Sequence, residues 1–426
     1  MKLLVFAHTP PPHHGQSYMV QLMLEALGGD RRTARRGHPP LPGAEWGIEC
    51  YHVNARLSQK LEEIGDFRVS KLILLVGYCL QAIWCRFRHG VTTFYYIPAP
   101  GKRSALYRDW LILFLCRPFF KRIILHWHAS GLAKWLETVV LIRSRALTYA
   151  AAKRADLSIV LSEYGRTDAE KLFPQRIAIV GNGIPDPCPR FTAELLPRRR
   201  ARLQARRLLL ANQVVPPELA ALTGPEPDVF KVLFLGHCTR DKGLFEAVRG
   251  AILARQQLID SHSRISLKLV VAGQFVHSEE EAEFHRLCAE EGREAVEYVG
   301  YVTGETKSSY LKQADGFCFP SHIESFGLVL VEAMAFGLPI VATRCGAMPE
   351  VVSRDYPGLV DRGRPDQIAE ALLRIITQED FEQLRQRFEA NFTLERHVAR
   401  LAAALQSVEG GQPEPRESPA PAPVTV

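Results

Sequence analysis

The sequence lacks the cysteine patterns that mark zinc-bound or disulfide-linked proteins. Its nine cysteines form no Cys-x-x-Cys pair, and most of them, such as Cys79, Cys116, Cys318 and Cys345, lie inside apolar runs. Cysteines in such runs are usually small core residues rather than ligands. An odd, scattered set also favours a reducing compartment. We therefore expect a cytoplasmic protein.

Long apolar runs are also missing. The longest, residues 72–85, has 14 residues, whereas a helix needs about 18 to cross a bilayer. The apolar run of residues 3–7 is too short for a signal peptide and is typical of a first strand. We expect no membrane-spanning segment, and peripheral attachment to the inner face of the plasma membrane stays open as an alternative.

Several common active-site signatures are absent as well. The sequence contains no Gly-x-Ser-x-Gly, no His-Glu-x-x-His, no Gly-x-Gly-x-x-Gly and no Walker loop. Their absence argues against the common hydrolase, metalloprotease, dinucleotide-binding and P-loop classes.

The composition that remains is that of a soluble globular protein, with 47% hydrophobic and 23% charged residues among 426. This length suggests two domains. Residues 1–200 carry 29 Lys and Arg against 15 Asp and Glu, whereas the remainder carries 24 against 31. A basic front half indicates an anionic partner, such as a membrane surface, a lipid phosphate or nucleic acid. Nucleic acid is disfavoured, because the Arg-rich runs fall in predicted loops without interleaved aromatic residues.

Short apolar runs alternate with longer amphipathic segments along the whole chain. Near-continuous apolar strands separated by helices predict parallel sheets covered on both faces. Two such units predict an α/β protein with two doubly wound domains. The predicted strands are 3–7, 91–97, 122–127, 157–161 and 176–180 in the front half, and 231–235, 266–272, 296–301, 316–319 and 339–343 in the rear half.

Proline and arginine set the predicted domain boundaries. Many prolines and a run of arginines interrupt the alternation after residue 186, and this composition predicts an irregular interdomain stretch. The end of the chain is rich in Pro, Gly and Glu, which predicts disorder. The predicted parts are a front domain at 1–186, a basic interdomain stretch at 187–228, a rear domain at 229–392, a C-terminal helix at 393–408 and a disordered tail at 409–426.

Two glutamates, Glu324 and Glu332, flank the start of an apolar helix that begins near Gly327. A predicted strand ends just before them, and ligands of open α/β sheets bind beyond the carboxyl ends of the strands. Backbone amides at the start of the helix favour a phosphate, and carboxylates accept hydrogen bonds from sugar hydroxyls. The structural alternative is that Glu324 caps the helix and Glu332 pairs with a Lys or Arg.

Two cations, Arg240 and Lys242, lie in a turn between strand 231–235 and a helix that starts near Gly243. Positive charge at the carboxyl edge of a sheet suits a diphosphate leaving group. Taken alone this signal is weak, because Arg and Lys in a surface turn are usually solvated.

The front half contributes two further candidate segments. Gly15 and Gln16 follow the first strand and precede a helix, where glycine lets the backbone approach a ligand closely. His126 and His128 alternate at the end of strand 122–127. No third metal ligand is suggested nearby, so we expect no metal site. We interpret His126 as structural and expect His128 to face the interdomain cleft.

Taken together, these segments resemble family four of the retaining GT-B glycosyltransferases. The resemblance extends over about residues 3–408 and is most specific at 319–352, where Glu324 and Glu332 match the family's pattern of two glutamates separated by seven residues. The Arg-Asp-Lys-Gly turn and residues 300–315 strengthen the match. The resemblance implies a GT-B fold, in which two Rossmann-like domains face a central cleft.

The resemblance also implies a role for each matching residue. Glu324 would contact the transferred sugar near its anomeric carbon, and His128 would touch the same sugar. Glu332 would hold the ribose hydroxyls, and the backbone near Val302 would meet the base. The other implied donor contacts are Gly15 and Gln16 of the acceptor-side loop, the cations Arg240 and Lys242, and Ser325, Phe326, Gly327 and Leu328.

The implied reaction is transfer of a hexosyl or N-acetylhexosaminyl group from a nucleoside diphosphate sugar to an acceptor hydroxyl, in bacterial cell-surface polysaccharide or glycolipid assembly. No cofactor or metal is expected, because the two cations and the helix terminus would neutralise the diphosphate. The helices at 70–87 and 107–122 mix apolar and basic residues, which suits an anionic membrane and a lipid-linked acceptor. Alternatively, both helices only cover the front sheet.

Two departures from the family pattern leave alternatives open. Many members have Arg where this chain has His237, and many have glycine where Ala129 follows His128. The position of His237 is the one feature that favours a catalytically silent sugar-nucleotide-binding module. A nucleotide-sugar epimerase or a phosphorylase of the same two-domain build is disfavoured, because neither follows the pattern of residues 324–334 closely.

Overall fold

Two six-stranded parallel sheets form the framework of the computed structural model, which describes residues 1–11, 14–33, 44–57, 69–98 and 101–409. Each sheet carries helices on both faces, as the near-continuous apolar strands predict. The predicted fold class, an α/β protein with two doubly wound domains, is therefore confirmed. Residues 410–426, which make up most of the predicted disordered tail, lie outside the described residues.

The front sheet has the strand order β2-β1-β3-β4-β5-β6. At one edge of this sheet, β2 pairs with β1, from Lys2 opposite Glu49 to Ala7 opposite Asn54. The strands are β1 (Lys2–Ala7), β2 (Glu49–Asn54), β3 (Thr93–Tyr96), β4 (Arg122–Trp127), β5 (Leu157–Val160) and β6 (Ile177–Ile179). The helices are α1 (Gly15–Ala26), α2 (Val69–His89), α3 (Arg103–Cys116), α4 (Leu132–Thr138), α5 (Ile142–Ala152) and α6 (Arg166–Glu170).

Strand β2 is missing from the sequence prediction. Its sequence alternates apolar residues with Glu49, His52 and Asn54, so it lacks the continuous apolar run that identified the other strands. The structure nevertheless buries His52, whose Nε2 lies 2.8 Å from the carbonyl oxygen of Ala7 on β1. A satisfied hydrogen bond makes this polar residue tolerable between two buried strands.

The rear sheet has the order β12-β11-β10-β7-β8-β9. Its strands are β7 (Val229–Leu235), β8 (Ser266–Ala272), β9 (Val296–Gly300), β10 (Gly316–Phe319), β11 (Ile340–Thr343) and β12 (Leu359–Val360). Its helices are α7 (Leu196–Leu210), α8 (Pro217–Thr223), α9 (Leu244–Asp260), α10 (Ser278–Glu290), α11 (Gly304–Gln313), α12 (Leu328–Ala335), α13 (Met348–Val352), α14 (Pro365–Ile375) and α15 (Phe381–Asn391).

The arginine-rich part of residues 187–228 is helical, which corrects the expectation of an irregular basic loop. Helix α7 buries Arg202 and Arg206 against the buried carboxylate of Asp315, with nitrogen–oxygen distances of 2.7 and 2.8 Å. Arg199 donates to three backbone carbonyls of the rear domain. Burial alone would raise the pKa of Asp315, but Arg206 and Arg202 lower it to about 2. These arginines therefore serve the packing of the rear domain.

The last helix, α16 (Leu394–Ser407), crosses back onto the front domain. Val398, Leu401 and Leu405 belong to the same buried cluster as Leu3 and Val5 of β1. The helix lies where the prediction has a C-terminal helix, and its apolar stripe explains why it is held. The chain thus passes twice between the domains.

Helix α2 has 21 residues and extends beyond the apolar run of 14 residues at both ends. By length and composition, its segment Ser70–His89 could cross a membrane, and only 22% of its most apolar window is buried inside the protein. Core helices of soluble proteins pass the same test of length and composition.

Candidate active site

A loop between β10 and α12 forms the rear wall of the cleft. Gly327 precedes the first residue of α12 with φ of 88°, a left-handed conformation that favours glycine. The amides of a helix's first turn have no partner within the helix, so α12 directs its first N–H groups toward the cleft. This start of α12 lies one residue beyond the predicted Gly327.

Glu324 and Lys242, both predicted site residues, lie together on this wall. Lys242 Nζ is 2.8 Å from Glu324 Oε2, and both side chains are partly exposed. Glu324 Oε1 also accepts a long hydrogen bond, 3.4 Å, from the amide of Phe326. Lys242 and Glu324 are 82 residues apart in the sequence. They meet because two turns, each between a strand and a helix, contact each other at the same sheet edge.

The close approach of those two turns depends on Gly243. This glycine has φ of 73°, and a Cβ built on it would lie 2.1 Å from the carbonyl oxygen of Pro320. A side chain here would therefore push apart the turn that carries Lys242 and the loop that carries Glu324.

Arg240 does not join the pair of Lys242 and Glu324. Its guanidinium forms an ion pair with Glu283 on α10 and lies 4.5 Å from the ring centre of Phe245. Its side chain is about half exposed. The two predicted cations therefore have different environments, since Lys242 faces the cleft wall and Arg240 packs toward α10.

Glu332 pairs with Lys307, a residue that the sequence analysis did not single out. Lys307 Nζ, on the first turns of α11, is 2.6 Å from Glu332 Oε1. Both glutamates thus have a lysine partner and remain partly exposed at the cleft. The structural alternative expected such a partner for Glu332, whereas it expected Glu324 to cap α12, which has no side-chain cap. The signal for Lys307 in the sequence was its place within residues 300–315, the segment that strengthened the family match.

The loop between β9 and α11 places Val302 near this second pair. Val302 is buried, and its loop leads directly into Gly304 at the start of α11. Tyr18 on α1 of the front domain interacts electrostatically with Glu332. Burial is the main cause that raises the pKa of Tyr18, and the negative charge of Glu332 is the second.

The front wall approaches the rear wall at Gly15. A Cβ built on Gly15 would lie 3.3 Å from Leu328 Cδ1, so the glycine loop contacts the first residue of α12. His14 caps α1 by accepting a hydrogen bond of 3.4 Å from the amide of Ser17. Gln16 lines a small neighbouring cavity of the front domain together with His8.

A second contact between the walls joins Ser130 to Ser325. Both the amide and the hydroxyl of Ser130 lie 3.0 Å from Ser325 Oγ. The ring of Phe326, by contrast, is buried, and its neighbour is Phe392 at a centroid distance of 5.9 Å. Phe326 can therefore contact a ligand in the cleft through its backbone but not through its side chain.

His128 follows β4 at the front wall and is half-buried. Its ring centre lies 4.2 Å from that of His126, whose Nδ1 forms a hydrogen bond with the hydroxyl of Tyr95. Burial, with His397 and His14 nearby, lowers the pKa of His128 to about 3. His128 is therefore a neutral imidazole at pH 7, which donates a hydrogen bond from one ring nitrogen and accepts one at the other.

His237 occupies the position where the family often has Arg. Burial and the nearby charge of Lys242 lower its pKa, so it adds no positive charge at neutral pH. Within the described ranges, three His, Cys, Asp or Glu side chains that could hold a metal ion are not found together.

Two facing α/β domains with paired acidic and basic residues at the carboxyl ends of the rear strands define a GT-B protein. The solved structures agree on the fold. Sucrose-phosphate synthase from Thermosynechococcus elongatus has a TM-score of 0.66 at 18% identity, covering 97% of this chain and all of that one. Anabaena HepE in complex with UDP-glucose has a TM-score of 0.59 at 16% identity, covering 95% and 99%.

Sequence comparison gives matches to part of the chain. Residues 220–393 match the family model of glycosyl transferases group 1. A D-inositol 3-phosphate glycosyltransferase of Pseudarthrobacter chlorophenolicus is 35% identical over 141 residues, which are 33% of this chain and 32% of that protein. The matching segments span less than half the length of the first curated relatives.

Proposed function

We propose that the protein is a retaining glycosyltransferase that moves a hexosyl or N-acetylhexosaminyl group from a nucleoside diphosphate sugar to an acceptor hydroxyl. The observation that carries this proposal is the pair of Lys242 and Glu324 beside the first turn of α12, opposite Gly15. One cation and a helix N-terminus suit a diphosphate, and a carboxylate next to them suits the sugar attached to it.

Leaving-group departure is the step that this geometry can accelerate. As the bond between the anomeric carbon and the diphosphate oxygen breaks, negative charge grows on the diphosphate, where Lys242 and the amides of Gly327 and Leu328 can stabilise it. Fixed charges and dipoles in a closed cleft can lower such a barrier by several kcal/mol. Because these groups supply positive charge, the proposal includes no metal and no cofactor.

The acceptor would attack from the face that the diphosphate leaves. The acceptor oxygen forms the new bond to the anomeric carbon, and its proton passes to the departing phosphate oxygen, so configuration is retained and no base is required. Glu324 would orient the donor sugar from one side. His128, neutral at pH 7, would hydrogen-bond it from the front wall.

The nucleoside would lie on the other side of the diphosphate. Glu332 would accept hydrogen bonds from the ribose hydroxyls, and the backbone around Val302 would contact the base. Lys307 holds the Glu332 carboxylate through an ion pair of 2.6 Å, so we assign Lys307 a positioning role. Cell-surface polysaccharide or glycolipid assembly is the proposed context.

The test begins with nucleotide binding. Thermal-shift measurements with UDP, GDP and ADP, and with their glucose conjugates, should show one nucleotide raising the melting temperature. UDP-glucose is the first donor to try, because the structurally similar HepE was solved with it.

Two variants then divide binding from turnover. Glu332→Ala should weaken nucleotide binding, and Glu324→Ala should mainly lower turnover while the nucleotide still binds. Glu305→Ala, an exposed position at the start of α11, is the matched control. Unchanged transfer in both site variants would overturn the proposal.

A second candidate is a sugar-nucleotide-binding module without transferase activity. Neutral His237 and the direction of Arg240 favour it, because they leave Lys242 as the cation at the cleft wall. Slow hydrolysis of the bound donor in the absence of acceptor would show that the leaving group is activated and would exclude this candidate.

A further inference from the structure

Three neighbouring helices of the front domain, α2, α3 and α5, leave an apolar surface uncovered. Eight large side chains on these helices, or in the loop before α5, are more than half exposed, compared with six in the rest of the described chain. Such a concentration marks an interaction surface. The residues of this surface, the apolar face, are Ile73, Leu80, Trp84, Phe87, Tyr107, Val139, Leu141 and Ile142.

Helix α2 has two apolar sides, and the sheet covers only one of them. Leu75, Cys79, Ala82 and Cys85 are buried in the front core. The exposed residues at 73, 80, 84 and 87 follow helical spacing along the opposite side. A helix that is apolar all round is normally covered on every side. The outer side of α2 is therefore built for an apolar environment that the described residues do not supply.

Basic residues accompany the apolar face, and its three helices expose no acidic side chain; the exposed Glu137, just before Val139, forms an ion pair with Lys171. Arg88, Lys121 and Arg143 are exposed near its aromatic and aliphatic members. Helices α2 and α5 contain no Asp or Glu, and the one carboxylate of α3, Asp109, is buried and accepts a hydrogen bond of 2.6 Å from Tyr96. The partner that matches this surface is apolar inside and anionic outside.

Arginine and aromatic side chains lie together at one end of the apolar face, a combination that is typical of protein surfaces in contact with lipid. Phe87 and Phe119 lie 6.1 Å apart, and Arg86 donates to the carbonyl of Phe119 at 2.9 Å. Rings can enter the acyl boundary while neighbouring guanidinium groups stay at the headgroups.

We propose that the apolar face docks on a bilayer that contains anionic lipids, with α2 lying along the surface rather than crossing it. The core packing of Cys79 and Ala82 argues for this orientation, because a spanning α2 would have to leave the front sheet. Apolar burial and attraction of cations to anionic headgroups would act together.

The position of the apolar face also suits the delivery of a membrane-held acceptor, a step that rests on the proposed function. Helix α2 begins at the sheet edge where the strands end. There Leu75 and Ile112 line the same small cavity as Gln16. A lipid-linked acceptor could thus leave its chain in the bilayer while its head group reaches the front wall of the cleft.

Vesicle flotation with the full chain tests docking without using any activity. Phosphatidylcholine vesicles containing phosphatidylglycerol should bind the protein, high salt should release it, and pure phosphatidylcholine should bind it far less. Release by salt distinguishes surface docking from a spanning helix. Retention in high salt and alkaline carbonate, or equal binding to both vesicle types, would overturn the proposal.

Substitutions identify the surface. Ile142→Ser and Trp84→Ser should each lower the vesicle partition coefficient about tenfold or more, and Arg143→Gln about fivefold. Ile259→Ser, at a rear-domain position about as exposed as Trp84, should have no effect. Concentration-dependent dimerisation that Ile142→Ser abolishes, without vesicle binding, would assign the face to a second copy and refute docking. Because nucleotide binding is measured separately, a failed transferase assay leaves this result intact.

Discussion

Replacing Lys242 with Met separates the two cations that the sequence assigned to the same diphosphate. Lys242 Nζ lies 2.8 Å from Glu324 at the cleft wall, whereas Arg240 pairs with Glu283 on α10. The Met side chain keeps most of the length and the apolar character of the Lys stem and removes its ammonium group. Arg240→Met is the matched control, two residues away in the same turn.

The expected loss follows from the distance of the charge. A cation about 4 Å from a diphosphate oxygen contributes about 4 kcal/mol at an effective dielectric constant of about 20, which corresponds to at most about a thousandfold in rate. Loss of a single electrostatic donor in other enzymes costs about a hundredfold to a thousandfold. Arg240 is in an exposed ion pair worth up to about 1 kcal/mol, so Arg240→Met should cost at most about fivefold.

The assay is initial-rate measurement of nucleoside diphosphate release, giving kcat and KM for each variant. We expect Lys242→Met to lower kcat/KM about a hundredfold or more and Lys242→Arg to restore part of it. The melting temperature must be followed too, because Lys242→Met leaves Glu324 without its lysine. Equal losses for the two Met variants, or a larger loss for Arg240→Met, would refute this assignment of the charges.

Further predictions concern stability. Arg202→Met should destabilise the rear domain by about 3–5 kcal/mol in urea unfolding, because it leaves the buried Asp315 with an incomplete ion pair; a change below about 1 kcal/mol would contradict the structural role of α7. Gly243→Ala should lower both stability and transfer, since its φ of 73° and close contact forbid a Cβ; normal transfer would contradict the need for that approach. Burial lowers the pKa of His8 to about 4 and that of His128 to about 3, below the unfolded value near 6.5, so the unfolded chain binds more protons in this window. Stability should therefore fall as pH drops from about 6.5 toward 4, and His8→Gln should flatten the profile of melting temperature against pH; an unchanged slope would refute the assignment.

The sequence carried the strand pattern and the order of the sites. Buried parallel strands are visible in the sequence as apolar runs. The two glutamates and the Arg-Asp-Lys-Gly turn lie next to such runs. Local pattern therefore predicted the fold class and placed Glu324, Glu332 and Lys242 near one sheet edge. Strand β2 was missed because polar residues interrupt its apolar pattern, and the hydrogen bond that lets one of them, His52, be buried is made with Ala7 on the neighbouring strand.

Tertiary structure decided which charges meet. An arginine-rich run looks like a solvated loop until a buried carboxylate from elsewhere in the chain, Asp315, is packed against it. The direction of Arg240, the pairing of Lys307 with Glu332 and the contact of Ser130 with Ser325 depend on residues far apart in sequence. The periodicity of apolar residues can be read from the sequence because it is a local pattern. The partner of a charged side chain cannot, because it depends on which distant segments the fold brings within a few ångströms of each other.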